Sequence, residues 1–152
     1  MNYPIMFNRV LLVDGSYFLH RSLSQPNQWE MQTLQGKKTG GIYGVIRGIF
    51  KEVQKYNYFP IVVFDGGLAP RRLQVYPNYK HNQDKQLLLE CKEGEKTEQQ
   101  IVDEAFMREY RTQRKDIIEI LHLLGIPCIR LENWEGDDLL YILSKLSKDS
   151  IV

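Results

Sequence analysis

The sequence predicts an α/β fold in which a parallel sheet is flanked by helices. Two short apolar runs, "RVLLVD" at 9–14 and "IVVFD" at 61–65, each end in an aspartate. Continuous apolar runs of this length are typical of parallel strands, because helices cover both faces of such a sheet. The stretches between the runs carry helical patterns, and strands that alternate with helices indicate a parallel α/β sheet.

Three segments show the period of an amphipathic helix. The first begins after Thr39, a candidate N-cap, and its apolar face consists of Ile42, Val45, Ile46, Ile49, Phe50 and Val53. The second passes through Ile117 and Leu121 and reaches Gly125, which predicts the helix end. The third follows Asp138. Weaker strand signals occur at 128–131 and 150–152, so we expect four strands in all.

Two segments interrupt this alternation. Residues 22–38 are polar and glutamine-rich and contain Pro26, which predicts a surface loop. Residues 68–115 hold ten of the chain's twenty Lys and Arg residues, mixed with acids and with tyrosines. A connection of this length inside a compact domain is usually functional or mobile. We therefore expect residues 68–115 to carry function.

Composition indicates an ordinary globular domain. The chain has 152 residues, 43% of them hydrophobic and 26% charged, and a formal charge of +1, which neither requires nor excludes a nucleic-acid partner. Its two cysteines form no close pair, so we expect reduced thiols. The sequence shows no signal-peptide pattern and no apolar run of roughly 20 residues. These features predict a cytoplasmic protein without a membrane partner.

Five carboxylates fall where a ligand site is expected. Asp14 and Asp65 end the first two strands, while the third candidate strand is followed by "WEGDD" at 134–138, which contains Glu135, Asp137 and Asp138. Ligands of parallel α/β sheets bind beyond the carboxyl ends of the strands, so these acids should converge. Their oxygens suit a hard cation such as Mg²⁺, with Mn²⁺ as the alternative. Such an ion can activate water for attack on a phosphodiester.

A simpler interpretation exists for each acid taken alone. Asp137 and Asp138 are acceptable as residues of a helix first turn. Asp14 before Gly15 and Asp65 before Gly66 are acceptable as turn residues. Their coincidence at one end of one predicted sheet favours a cation site, because five carboxylates stay ionised together only around positive charge.

The same stretches resemble the 5′-nuclease family, which includes the 5′→3′ exonuclease domain of bacterial DNA polymerase I and phage flap endonucleases. The similar blocks are "RVLLVDGSYFLHRS", "GIYGVIRGIFKEV", "IVVFDGG", "RRLQVYPNYKHNQD" and "LLGIPCIRLENWEGDDLLYILSK". The resemblance implies a PIN-like fold with a helical-arch insertion, here residues 68–115. It also implies Mg²⁺-dependent hydrolysis of DNA at 5′ ends and flaps, with RNA–DNA hybrids as further substrates.

The resemblance assigns a role to each candidate residue. The family's first acidic cluster corresponds to Asp14, Asp65, Glu135, Asp137 and Asp138, which serve as catalytic metal ligands. Lys80 is expected at the scissile phosphate and Tyr79 is expected to stack on a base, while Arg71 and Arg72 match an arginine that precedes the arch. Tyr17 and Arg21 are candidates for lining the DNA path. Gln83 departs from the pattern, since phage relatives often have arginine there.

The resemblance covers the chain from about Asn8 to Val152 but only the first half of the family domain. The further acids that complete the family's second metal position belong to the half that the resemblance does not cover. Three interpretations remain open: a fragment of a longer nuclease, one half of a split nuclease whose other half is a separate polypeptide, or an accessory module that binds nucleic acid or protein without cutting it. A PIN-type ribonuclease is a more distant alternative, against which the long arch-like segment argues.

Overall fold

A four-stranded parallel sheet with the order β3-β2-β1-β4 organises the computed structural model, which describes residues 9–77, 79, 97–147 and 149–152. The strands are β1 (Val10–Asp14), β2 (Phe59–Val63), β3 (Cys128–Ile129) and β4 (Ser150–Ile151). The helices are α1 (Gly15–Leu23), α2 (Pro26–Trp29), α3 (Gly40–Tyr56), α4 (Pro70–Val75), α5 (Glu98–Leu123) and α6 (Gly136–Leu146). The predicted α/β class, with its parallel sheet between helices, is confirmed, and the fold is PIN-like.

Alternating residues of β1 pack into two hydrophobic clusters, one on each face of the sheet. Leu11 and Val13 of β1 join the larger core cluster, which lies against α1, α3 and α5. Val10 and Leu12 of the same strand face α6 on the other side of the sheet. Both faces of β1 are thus covered by helices, which explains why its sequence is a continuous apolar run.

The strand register brings the carboxyl ends of β1, β2 and β3 to one edge of the sheet. Asp14 pairs with Val63 of β2, and Val63 in turn pairs with Ile129 of β3. Asp65 lies two residues beyond β2, and the next residue, Gly66, lies against the chain that leaves β3. A Cβ on Gly66 would come within 1.6 Å of the Leu131 carbonyl oxygen. Glycine is therefore required where the two strand ends meet.

Two helix boundaries follow the sequence prediction, with one difference in capping. Gly125 has a φ of +72°, which is the left-handed conformation expected just after a helix. Thr39 occupies the N-cap position of α3, but its side chain makes no capping hydrogen bond. Gln113 of α5, buried in the interior, instead accepts the Ile42 N–H at 3.1 Å. A long-range contact has replaced the predicted local cap.

Residues 22–38 are more ordered than the predicted surface loop. They contain the end of α1, the short helix α2 and an isolated antiparallel bridge between Gln32 and Lys38. The Trp29 ring stacks on Phe106 of α5, with their centroids 6.0 Å apart. The segment lies at the surface as predicted, since most of its residues are exposed, but it also contains a short helix whose Trp29 ring contacts α5.

The basic segment 68–115 contains α4 and most of α5 among its described residues. Helix α5 continues through Lys115 to Leu123 and starts with a capping box formed by Thr97 and Gln100. Tyr110 and Ile117, about two turns apart on α5, both pack on the larger core cluster. Part of the predicted insertion therefore lies against the domain. None of the helices in the described part of the chain has the length and apolar character that a membrane crossing requires.

Candidate metal and nucleic-acid site

The acids predicted from the sequence lie at one edge of the sheet, but they divide into two groups with different surroundings. We call Asp14, Asp65 and Asp137 the aspartate trio, and Glu135 and Asp138 the arginine-paired acids. The trio faces other carboxylates, whereas the second pair faces two guanidinium groups. This division was not evident from the sequence.

Asp14 is the centre of the aspartate trio. It is the N-cap of α1, and its Oδ1 accepts the Tyr17 N–H at 2.8 Å. Burial raises the pKa of Asp14 above its usual range, and the nearby charges of Asp65 and Asp137 raise it further. Within the described ranges, no member of the trio forms an ion pair. Among the described residues, the negative charge here has no counter-charge in contact.

Asp65 is held by three hydrogen bonds that come from different elements. Its N–H donates to the Ser16 Oγ at 2.9 Å, and its carbonyl oxygen accepts the Arg130 Nε–H at 3.0 Å. Its Oδ1 accepts the Gly136 N–H at 2.6 Å. Because Gly136 is the first residue of α6, Asp65 caps that helix from a distant part of the chain. These contacts connect the ends of β1, β2 and β3.

Arg72 of α4 bridges the two arginine-paired acids. Its Nη2 donates to Asp138 Oδ1 at 2.9 Å, and its Nη1 lies 3.2 Å from Glu135 Oε2. Arg71 forms a second ion pair with Asp138. Burial alone would raise the pKa of Asp138, but Arg72 and Arg71 together lower it below its usual range. Hydrogen bonding to Asp138, followed by the charge of Glu135, raises the pKa of Arg72 despite partial burial.

Tyr79 completes this network. Its hydroxyl accepts a hydrogen bond from Arg72 Nη1 at 2.6 Å and donates to Glu135 Oε2 at 3.0 Å. Glu135 is only 4% exposed, so its charge depends on these partners. The Arg71 guanidinium lies over the Trp134 ring, 4.2 Å from the centroid. Trp134 also packs against the smaller core cluster.

The structure places the remaining candidates differently. Tyr17 is 56% exposed on α1, and Arg21 is exposed one turn further on. Neither side chain contacts another candidate residue among those described. Lys80, with Gln83, lies outside the described residues.

Four residues near the acids were missed by the sequence analysis. Tyr110 of α5 and Ser16 after β1 both lie close to Asp65, and burial together with the charges of Asp65 and Asp14 raises the pKa of Tyr110. Arg114, one turn later, has its Cζ 5.7 Å from the Tyr110 ring. Arg130 follows β3 and reaches Asp65. No local pattern marks these side chains, because their proximity to Asp65 depends on how α5 packs across the sheet.

The donor set fits a hard divalent ion in its chemistry, since it consists of carboxylate oxygens and includes a half-buried carboxyl whose pKa is raised. The arrangement is not a closed cage. In the described part of the chain, no three His, Cys, Asp or Glu side chains are grouped closely enough to hold a metal ion. The trio offers negative charge, while Glu135 and Asp138 are engaged by arginines. Binding an ion through all five acids would require those two to change partners.

The family comparison agrees with this fold and site. The family described as "5'-3' exonuclease, N-terminal resolvase-like domain" matches residues 9–152. The chain therefore belongs to the N-terminal domain family of the 5′-nucleases. A 5′-3′ exonuclease of Aquifex aeolicus (strain VF5) is 30% identical over 140 residues, which cover 90% of this chain and 40% of the relative.

Solved structures give the same fold. A T5 protein co-crystallised with metal ions superposes with a TM-score of 0.63 at 23% identity, over 91% of this chain and 44% of that protein. A bacteriophage T5 flap endonuclease in a complex with DNA and metal ions superposes with a TM-score of 0.62 at 20% identity. The match covers 93% of this chain and 47% of that protein. The chain thus spans less than half the length of these relatives.

Proposed function

We propose that this chain provides the first acidic cluster of a metal-dependent 5′→3′ exonuclease and 5′-flap endonuclease acting on DNA. The observation that carries the proposal is the position of Asp14, Asp65 and the "EGDD" turn at one edge of the sheet, where Glu135 and Asp138 of that turn contact the arginines of α4. Carboxylates that can hold a divalent ion and cations that can hold phosphate are the two requirements of phosphodiester hydrolysis. Membership of the 5′-nuclease family and the metal- and DNA-bound T5 structures support it.

In this proposal the five acids Asp14, Asp65, Glu135, Asp137 and Asp138 hold Mg²⁺, with Mn²⁺ as a substitute. When bound, the ion supplies an activated water and stabilises the charge that develops on the phosphate. The protein's own contribution is to fix the carboxylates. Asp65 is fixed by its bonds to Ser16 and Gly136, and Asp14 by its bond to Tyr17.

The cationic and aromatic residues are assigned to the DNA strand. Arg71 and Arg72 neutralise Glu135 and Asp138 in this structure, and they turn to phosphate groups when substrate is present. Tyr79 stacks on a base and Lys80 approaches the scissile phosphate. Cations on phosphates combined with aromatic rings on bases are the general mode of single-strand binding. Tyr17 and Arg21, both exposed on α1, are placed along the same strand.

A second polypeptide segment is proposed to complete the site, either from further sequence of the same protein or from a separate chain. Two features of the described residues favour it. Strand β4 pairs on one side only, with β1. Helix α6, which precedes β4 in the chain, exposes Ile142 and Leu146, at 39% and 77%. Open edge strands and exposed apolar side chains are usually covered in the working protein.

A non-catalytic binding module is the second candidate function, and the ion pairs of Arg71 and Arg72 favour it. Two acids that are already neutralised by the protein need no metal for their charge. In this alternative the chain binds nucleic acid or protein, and divalent ions leave the affinity unchanged. A PIN-type ribonuclease is a third candidate function, and a preference for RNA over DNA would distinguish it from the other two.

The test is cleavage of a labelled 5′-flap DNA by the 152-residue chain in Mg²⁺, with EDTA and Asp65→Asn as controls. Any cutting by this chain should require the metal and should fall by at least about a hundredfold in Asp65→Asn, because a charged ligand to the ion is lost. Asp103→Asn, an exposed acid on α5, is the matched variant that should cut normally. DNA binding without cutting would mean that residues of another segment are required, and metal-independent binding would favour the binding module.

The same assay with RNA and RNA–DNA flaps of identical sequence addresses substrate class. Preference for the DNA flap is expected. Faster cleavage of the RNA flap would replace the proposal with the ribonuclease alternative.

A further inference from the structure

A second set of arginines, separate from those of α4, lies near Asp65. Arg130, just beyond β3, donates its Nε–H to the Asp65 carbonyl oxygen at 3.0 Å. Arg114 approaches from α5, because α5 packs against β3 and the charges of Arg130 and Asp65 both act on the Arg114 guanidinium. Arg111 lies one turn before Arg114. The end of β2 is therefore flanked by guanidinium groups from two elements.

These cations differ from Arg71 and Arg72 in having no acidic partner in contact. Within the described ranges, neither Arg111, Arg114 nor Arg130 forms an ion pair. Arg114 is half-buried, so it has lost part of its hydration, and it packs on the Tyr110 ring with 5.7 Å between Cζ and the centroid. Burial, followed by the charges of Arg130 and Arg111, lowers the pKa of Arg114. Like charges held together in this way are stabilised by an anion between them.

We propose that Arg114 and Arg130, with Arg111 at the rim, form a binding site for a phosphate group beside Asp65. A guanidinium presents a planar set of N–H donors that matches the oxygens of a phosphate, and two of them from different elements can hold one phosphate from two sides. The identification of that phosphate as part of a nucleic-acid strand rests on the function proposed above. The capacity of the arginines to bind an anion is independent of that function.

The site would extend the nucleic-acid path across the sheet edge. Arg71 and Arg72 lie on the α4 side, at Glu135 and Asp138, whereas Arg114 and Arg130 lie on the α5 side, at Asp65. Arg71 and Arg72 form ion pairs with Glu135 and Asp138, whereas Arg114 and Arg130 form none among the described residues, so the α5 cluster can take phosphate without opening an ion pair.

The first experiment measures binding of a fluorescein-labelled 5′-flap DNA by anisotropy in EDTA, over a series of NaCl concentrations. Arg114→Gln and Arg130→Gln should each weaken binding about tenfold and reduce the slope of log K against log salt by about one, as expected for the loss of one phosphate contact. Lys115→Gln is the matched control: it removes the same charge from the next, exposed position of α5. Its affinity should stay within about twofold of the unaltered protein.

A charge-conserving variant separates binding from a structural role. Arg114→Lys should keep the salt slope close to that of the unaltered protein, because the positive charge remains. If Arg114→Gln lowers the melting temperature enough to complicate the comparison, the exposed Arg130→Gln carries the test. Equal behaviour of Arg114→Gln, Arg130→Gln and Lys115→Gln in the salt series would overturn the assignment to nucleic acid.

The second experiment uses inorganic phosphate and needs no nucleic acid. The melting temperature is compared in potassium phosphate and in potassium chloride of equal ionic strength. We expect extra stabilisation by phosphate that is lost in Arg114→Gln and kept in Lys115→Gln. If the protein fails to bind DNA but shows this stabilisation, the anion site stands and the proposed function fails. If neither the salt slope nor the phosphate effect depends on Arg114 and Arg130, the site itself is rejected.

Discussion

The aspartate trio and the arginine-paired acids are neighbours in the structure, yet they solve the problem of clustered negative charge in opposite ways. Glu135 and Asp138 receive counter-charge from Arg71 and Arg72. Asp14, Asp65 and Asp137 receive no counter-charge in contact from the part of the chain that the structure describes, and the pKa of Asp14 is raised by burial and by its acidic neighbours. The arginine-paired acids contribute to holding α4 on the domain. The aspartate trio keeps unfavourable negative charge that a divalent ion can neutralise. Stability and ion binding are thus assigned to different acids.

Removal of Arg72 should have the largest effect on stability. Arg72→Gln leaves Glu135, which is almost fully buried, without its guanidinium partner, so we expect a loss of about 2–3 kcal/mol in the free energy of unfolding. Urea denaturation in EDTA measures it. The double variant Arg72→Gln/Glu135→Gln should recover much of the loss, because no uncompensated charge remains. An unchanged midpoint in Arg72→Gln would show that the network does not stabilise the fold.

The pH dependence of stability should differ between the two groups. The pKa of Asp138 is lowered in the folded state, so its contribution is present above the ordinary aspartate pKa and is lost as the pH falls through the lowered value. Asp138→Asn should therefore be less stable than the unaltered protein at pH 7 by about 1–2 kcal/mol, and equally stable in acid. Thermal melts from pH 3 to 7 in EDTA test this. A difference that persists unchanged in acid would contradict the ion-pair explanation.

Neutralising Asp14 should change the stability at pH 7 in the opposite direction from neutralising Asp138. Because the folded-state pKa of Asp14 is raised, its contribution to stability is present below the ordinary aspartate pKa and is lost as the pH rises through the raised value. Asp14→Asn should therefore be more stable than the unaltered protein at pH 7 in EDTA, by on the order of 0.5 kcal/mol. Asparagine can still accept the Tyr17 N–H as an N-cap.

Divalent ions provide the control for that variant. Mg²⁺ or Mn²⁺ should raise the melting temperature of the unaltered protein and raise that of Asp14→Asn less, since a ligand charge has been removed. A destabilised Asp14→Asn in EDTA would mean that the trio is not under electrostatic strain.

Removal of Arg71 should have the smallest effect. Its side chain is 44% exposed, and exposed ion pairs contribute little because solvent screens them. Arg71→Gln should lower the free energy of unfolding by about 0.5 kcal/mol or less. Its clearer signature is a change in tryptophan fluorescence, because the guanidinium lies 4.2 Å from the centroid of the Trp134 ring. A loss as large as that in Arg72→Gln would show that the two arginines act as one unit.

Local sequence was sufficient for the features that depend on neighbouring residues. The apolar runs that end at Asp14 and Asp65 specify buried parallel strands, because only a residue sequence without polar alternation can be covered on both faces. Gly125 specifies a helix end, since glycine accepts a positive φ at little cost. The same pattern of strands that end in acids predicts all five carboxylates at one edge of the sheet. The resemblance of their motifs to the 5′-nucleases identified the family.

Tertiary structure decided which charges face each other. Arg72 is 63 residues before Glu135 in the numbering, and nothing in either local sequence indicates that they meet at 3.2 Å. Gln113 caps α3 and Arg114 approaches Asp65 because α5 packs across the sheet and not because of any short motif. Electrostatic partners are chosen by distance in space, which depends on how whole helices dock. The sequence therefore determined the fold and the set of acids, whereas packing alone divided that set into a neutralised pair and a charged trio.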